Sequence, residues 1–192
     1  MNVKYCGSAL DYSGYGEANR HDIAALVSAG IEVTVECPKY TVELADFGEL
    51  GSMVGALTNR KLDYDIKILH TTPNVYGRYY EQGKYHIGRA FWETDRLPPD
   101  FVSGLNVVDE IWTGSRFNKE AMIRSGITKP IFVIPEAIDT NKPDVKPYIV
   151  SGQELFKFYS IFEWTERKNP CALLEAYWRE FEHTEGVGLY LK

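Results

Sequence analysis

Four stretches of the chain place chemically useful residue types just after strand signals, where open α/β folds gather ligands. The first is Asp11-Tyr-Ser-Gly-Tyr-Gly-Glu-Ala-Asn-Arg20. Gly14 and Gly16 let the backbone turn sharply and approach a ligand, with Tyr15 between them and a helix N-terminus following. The run GYGEAN has only the first two glycines of a dinucleotide fingerprint, and a tight turn with nothing bound would use the same residues. The second is Ala90-Phe-Trp-Glu-Thr-Asp-Arg-Leu-Pro-Pro99. There Trp92 stands beside Glu93, Asp95 and Arg96, a set that could orient sugar hydroxyls or simply form a solvated ion pair.

The third stretch is a pair, Ser115–Asn118 and Ile134–Asp139. Ser115 reads first as a helix cap, and Glu136 as a ligand acceptor or an anchor for the chain that follows. The fourth is Phe158–Pro170, FYSIFEWTERKNP: a strand, a charged turn, then a helix start with proline at its first position. Arg167 and Lys168 beside a helix N-terminus complement a diphosphate that also meets the helix amides. The simpler alternative is a solvated Glu166-Arg167-Lys168 charge run. His70 and His86 sit at or in strands and read as structural residues, without Ser or Cys partners in a triad order. Cys6 and Cys37 read as small core hydrophobes.

Alternating strand and helix signals must position these residues. Strands are expected at Val3–Cys6, Ile31–Glu36, Asp65–His70, Tyr85–Trp92, Glu110–Thr113 and Pro130–Ile134. Helices are expected at Glu17–Ala29, stopped by Gly30, and from Ser115 to Ser125, stopped by Gly126. A weaker, glycine-rich helix is expected at Phe47–Asn59, a helical turn at Tyr76–Gln82 and a short helix after Pro98-Pro99. The order implies an α/β fold with a parallel, Rossmann-like doubly wound sheet over residues 1–140. Residues 141–152 are polar, hold two prolines and read as a linker. Residues 153–192 then give a strand at 155–162, a helix at 170–182 and a strand at Val187–Leu191, a truncated second βαβ unit. A two-stranded sheet with one helix buries no core alone. It is expected to pack back on the first domain, to pair with another chain, including a homodimer partner, or to begin a longer protein.

Composition bounds the function. The 192 residues are 44% hydrophobic, 25% charged and 14% aromatic, the last a modest surplus that suits a binding surface or a large core. A net charge of −6 with no basic tract argues against nucleic acid as a partner. Three scattered cysteines and no CxxC pair point to free thiols in a reducing compartment, and four histidines show no metal-ligand spacing. No apolar h-region opens the chain and no run of about 18 apolar residues occurs, so a cytoplasmic location without a transmembrane segment is expected.

Several segments, in order, resemble the retaining, nucleotide-sugar-dependent glycosyltransferases of family 4, which have the GT-B fold. They are SGYGEANRHDIAALVSAGIEVTV (13–35), FWETDRLPPDFV (91–102), VDEIWTGSRFNKEAMIRSGITKPIFVIPEAID (108–139) and FYSIFEWTERKNPCALLEAYWREF (158–181). The resemblance implies an N-terminal acceptor domain and a C-terminal domain holding the nucleotide sugar, with no cofactor or metal. It places Gly14, Tyr15, Gly16, Trp92 and Glu93 at the acceptor, a glycan or other hydroxyl compound, and Lys168, with Arg167, at the donor diphosphate. The family's Gly-Arg pair is replaced by Phe162 and Glu163, and Trp92 and Glu93 stand near its usual strand-end histidine. No two glutamates are spaced i and i+8, the spacing of the family's paired donor glutamates. Family members run to roughly twice this length, as two full domains need. The chain alone is therefore expected to be inactive, and the alternative is a non-catalytic glycan- or partner-binding module derived from such an enzyme.

Overall fold

The computed structural model of the chain describes residues 1–38, 47–140, 146 and 156–192. The chain divides into two compact units, Met1–Asn141 and Lys142–Lys192. The expected linker 141–152 lies, but for Lys146, outside the described residues.

The first unit is a six-stranded parallel sheet, a Rossmann-like α/β arrangement. Its strands are β1 (Asn2–Gly7), β2 (Glu32–Glu36), β3 (Ile66–His70), β4 (Tyr85–Arg89), β5 (Glu110–Thr113) and β6 (Ile131–Val133), in the spatial order β2-β1-β3-β4-β5-β6. All neighbouring pairs are parallel, with Tyr5 beside both Val35 and Ile68. The helices are α1 (Gly14–Ser28), α2 (Gly48–Leu57), α3 (Tyr76–Tyr79), α4 (Pro99–Leu105) and α5 (Arg116–Arg124).

Side chains alternate across the strands, so each face of the sheet has its own core. On one face Val3, Tyr5, Val33, Val35 and Ile68 meet Ile23 of α1 and Val54 of α2. On the other, Cys6, Leu69 and Ile111 meet Tyr76 of α3, Leu105 of α4 and Met122 of α5. Cys6 is fully buried, as a small core residue should be, and Cys37 is half-buried.

The strand order reverses between β1 and β3. β1 leads through α1 to β2 on one side, and β3 lies on the other. Ligands in such sheets bind beyond the carboxyl ends of the strands at this switch point. The segments there are the β1–α1 connection and the chain leaving β3 at His70.

Several boundaries differ from the sequence expectation by one to three residues, and two of them bear on this point. α1 begins at Gly14 rather than Glu17, because Ser13 caps it by accepting from the Gly16 amide at 3.0 Å. Gly14, Tyr15 and Gly16 are therefore the first turn of a helix and not a loop. β4 ends at Arg89 rather than Trp92, which leaves Phe91, Trp92 and Glu93 on the connection beyond the strand.

The second unit pairs β7 (Phe156–Ser160) with β8 (Val187–Leu191) in parallel, with α6 (Pro170–Glu180) between them in sequence. The Tyr177 hydroxyl of α6 donates to the Val187 carbonyl at 2.9 Å, and Phe158 and Tyr177 flank Phe181. Phe156, Tyr159, Ile161, Trp164 and Trp178 stay largely exposed, as a two-stranded sheet with one helix must leave them.

Candidate functional site

The β1–α1 connection is held in place by side chains before any ligand arrives. Arg20, 3% exposed, donates from one guanidinium nitrogen to the Ala9 carbonyl at 2.9 Å and the Asp11 carbonyl at 2.8 Å, and from another to Glu17 at 2.6 Å. Asp11 accepts from the Ser13 amide at 2.9 Å. Gly16 packs directly on this turn, where a Cβ would stand 2.3 Å from the Asp11 carbonyl oxygen. A Cβ at Gly7, the last residue of β1, would stand 1.9 Å from Asn19 Oδ1. Asn19 in turn donates to the Tyr15 carbonyl at 2.5 Å and the His70 carbonyl at 3.4 Å, tying the first turn of α1 to the end of β3.

Beneath this turn lies a polar cluster on the α1 face of the sheet. Asp22 of α1 and Arg89 of β4 form a buried ion pair, with a further guanidinium nitrogen 3.2 Å from Asp22 Oδ1. Arg89 also donates to the Ile134 carbonyl at 3.2 Å and the Pro135 carbonyl at 3.1 Å, while the Ala137 amide donates to Asp22 at 3.4 Å. The segment after β6 is thus pinned against α1 and β4. Tyr5 donates to Asp22 at 3.2 Å, and its oxygen lies 2.6 Å from His70 Nδ1. Burial pushes the Asp22 carboxyl up, but the His70 contact and the Arg89 charge outweigh it and hold the group below its ordinary value. Burial pulls His70 down, against the pull of Asp22, and the imidazole ends below its ordinary value.

Tyr15 extends the cluster to the end of the sheet. Its ring lies edge-on to His70 at 5.6 Å, and Phe91 lies 6.0 Å from His70 on the connection after β4. Burial raises the Tyr15 phenol, and the charges of Glu93 and Glu136 raise it further. Residues from four places at this end of the sheet therefore converge here: Tyr15 in the first turn of α1, His70 as the last residue of β3, Phe91 and Glu93 on the connection after β4, and Glu136 after β6.

Among the residues singled out from sequence, the structure brings Gly14, Tyr15, Gly16, Glu93 and Glu136 into this neighbourhood. Trp92 has a different task. Its indole N–H donates to Thr94 Oγ1 at 2.8 Å and the Arg96 carbonyl at 2.6 Å, and its ring packs edge-on to Phe101. Its amide and carbonyl are both taken by Asn118. Trp92 thus shapes the loop that carries Glu93. Ser115 caps α5, accepting from the Asn118 amide at 3.1 Å.

Arg167 and Lys168 belong to the second unit. They are exposed on a short 3-10 turn, Glu166–Lys168, closed by bonds from the Lys168 amide to Thr165 and the Asn169 amide to Glu166. Asn169 takes a left-handed backbone (φ 51°) and feeds directly into Pro170, the first residue of α6. The basic pair therefore precedes the N-terminus of an 11-residue helix whose first residue brings no N–H donor.

Sequence reading missed Asp22 and Arg89, and took His70 as structural. The available signal was the run Asn19-Arg20-His21-Asp22 inside a helix that must bury a face, and an arginine within an otherwise apolar strand. A separate cleft of about 620 Å³ is lined by His21, Ala24, Met53, Glu49 and Ile138 and shares no residue with the Tyr15–His70 group. Among the described residues, no three His, Cys, Asp or Glu side chains are grouped to hold a metal ion, and no helix is long and apolar enough to cross a membrane. No protein-family model matches the chain, and no curated protein matches it.

Proposed function

We propose that the chain is the acceptor-side part of a glycosyltransferase, together with the start of its donor domain. The reaction moves a sugar from a nucleotide-diphosphate donor to an acceptor hydroxyl with retention. The observation that carries this reading is the convergence of Tyr15, Glu93 and Glu136 at the switch point of the sheet. Carboxylates and a phenol are hydrogen-bond partners for sugar hydroxyls, and the neighbouring ring of Phe91 supplies an apolar wall.

In this reading the first turn of α1 and the Trp92–Glu93 connection place the acceptor. Arg167 and Lys168 meet the donor diphosphate, with the N-terminal amides of α6 adding partial positive charge. The donor diphosphate takes part in drawing off the acceptor proton, and the basic pair stabilises the leaving group. The cytoplasm suits a substrate of this kind. Titration of the 192-residue chain with UDP and GDP, read at backbone amides, tests the donor side. Amides of 165–169 should move with one nucleotide and stop moving in Lys168→Ala. Indifference of these amides to both nucleotides would contradict the assignment.

A further inference from the structure

The protons around His70 can be assigned by counting. Nδ1 lies 2.6 Å from the Tyr5 oxygen and 3.5 Å from Asp22 Oδ2, and the Tyr5 oxygen lies 3.2 Å from the same carboxylate oxygen. A carboxylate only accepts, so the single Tyr5 proton points to Asp22. The 2.6 Å contact then needs its proton from Nδ1. The opposite tautomer would aim a nitrogen lone pair at the carboxylate. Burial and the Arg89 charge oppose a second ring proton, Asp22 and Glu136 favour one, and the net displacement is downward. His70 is therefore neutral and protonated on Nδ1, with a lone pair on Nε2.

Among the described residues, the hydrogen-bond and ion-pair contacts of the His70 ring run through Nδ1. The side chain is 1% exposed, which restricts water, and its ring is flanked by Tyr15 and Phe91. A lone pair held by a His–Tyr–Asp relay at the carboxyl end of β3 is suited to accept one hydrogen bond.

We infer that His70 Nε2 is a binding residue that accepts a hydrogen bond from a hydroxyl of the acceptor substrate. The inference rests on the acceptor-site reading above and sharpens its chemistry. The substrate group is a neutral hydroxyl donor. Phosphate and carboxylate groups are disfavoured, because the Nε2 lone pair, Glu93 and Glu136 all repel an anion. Asp22 is a positioning residue that fixes the tautomer through Tyr5, and Arg89 keeps Asp22 charged.

Two-bond proton–nitrogen spectra of the histidine-labelled 192-residue chain at pH 7 test the assignment directly. The pattern of an Nδ1–H neutral ring is expected. Glucose, mannose and myo-inositol are then added in turn, with inorganic phosphate as the anionic probe. At least one neutral polyol should shift the Nε2 resonance, and phosphate should not. His70→Phe should weaken that polyol about tenfold, and His70→Gln, whose carbonyl can still accept, should restore part of the loss. If His70→Phe does not fold, the tautomer and shift of the native chain still decide. An Nε2–H ring or an imidazolium at pH 7 overturns the inference whatever the function is. A polyol that moves the Tyr15 and Glu93 amides but not Nε2 overturns the inference and leaves the acceptor site standing. If no polyol moves the amides of Tyr15, Gly16, Glu93 or Glu136, the acceptor-site reading falls and the inference with it.

Discussion

Asp22 and Arg89, 67 residues apart in sequence, pair inside the first unit and together take hold of three backbone groups at residues 134, 135 and 137. The pair joins α1, β4 and the chain leaving β6, so the segment carrying Glu136 is fixed to the element carrying Tyr15. Removing one partner leaves a buried, uncompensated charge, which costs about 3–5 kcal/mol. Arg89→Met should lower the free energy of urea unfolding by that order. A loss below about 1 kcal/mol would show that the pair is not the anchor described.

The turn below Tyr15 discriminates between its glycines. An alanine Cβ at Gly7 would collide with Asn19, and at Gly16 with the Asp11 backbone, whereas at Gly14 it meets nothing within 4 Å. Gly7→Ala and Gly16→Ala should each cost about 1–3 kcal/mol through overpacking. Gly14→Ala should be neutral or stabilising by up to about 1 kcal/mol, since it lies in a helix. Equal effects at all three positions, measured by thermal unfolding, would contradict the packing described.

Stability should fall as the pH is lowered, in two stages. Burial pulls His70 and His86 below their ordinary value of 6.5, so below that pH the unfolded chain binds protons that the folded chain refuses. The first loss therefore runs downward from about pH 6.5. Burial pushes Glu81 up, but hydrogen bonds from Lys67 and Tyr64 outweigh it and take the group from 4.5 to about 2; Asp22 also ends below its ordinary value of 3.8. Their contribution is intact above the unfolded values and is lost as the pH falls through the folded ones. Urea midpoints at pH 8, 6, 5, 4, 3 and 2 should show both stages, with the first reduced in His70→Gln. A flat profile between pH 8 and 5 would refute the histidine part.

The strand positions and the parallel sheet were legible in the sequence because the strands are short β-rich runs bounded by glycine or proline, such as Ile31–Glu36 after Gly30 and Asp65–His70 before Pro73. The start of α1 was not, because glycine at 14 and 16 lowers helix propensity while the deciding term, the Ser13 cap, is a single hydrogen bond. The end of β4 was missed because Ala90-Phe-Trp continues an apolar run, and only the capture of the Trp92 backbone by Asn118 of α5 turns the chain away. The Asp22–Arg89–His70 cluster escaped because its members are brought together by three separate elements, and no local pattern encodes that pairing.

Tyr15 offers a probe of the candidate site without any ligand. Its phenol is raised by burial and then by Glu93 and Glu136. In Glu93→Gln and in Glu136→Gln the Tyr15 titration, followed by the ring carbon next to the hydroxyl, should move downward, and further in the double variant. A titration unchanged in both single variants would mean that the two carboxylates do not share its surroundings.

The central claim is that the residue cluster at the switch point of the first unit binds the hydroxyl acceptor. The most direct measurement is a backbone amide map of the 192-residue chain with glucose, mannose, N-acetylglucosamine and myo-inositol added in turn. The account predicts that at least one of them shifts a contiguous set including Tyr15, Gly16, Glu93 and Glu136, with the set lost in Tyr15→Ala. Shifts confined to the outer cleft around His21 and Met53, or none anywhere in the first unit, would contradict it.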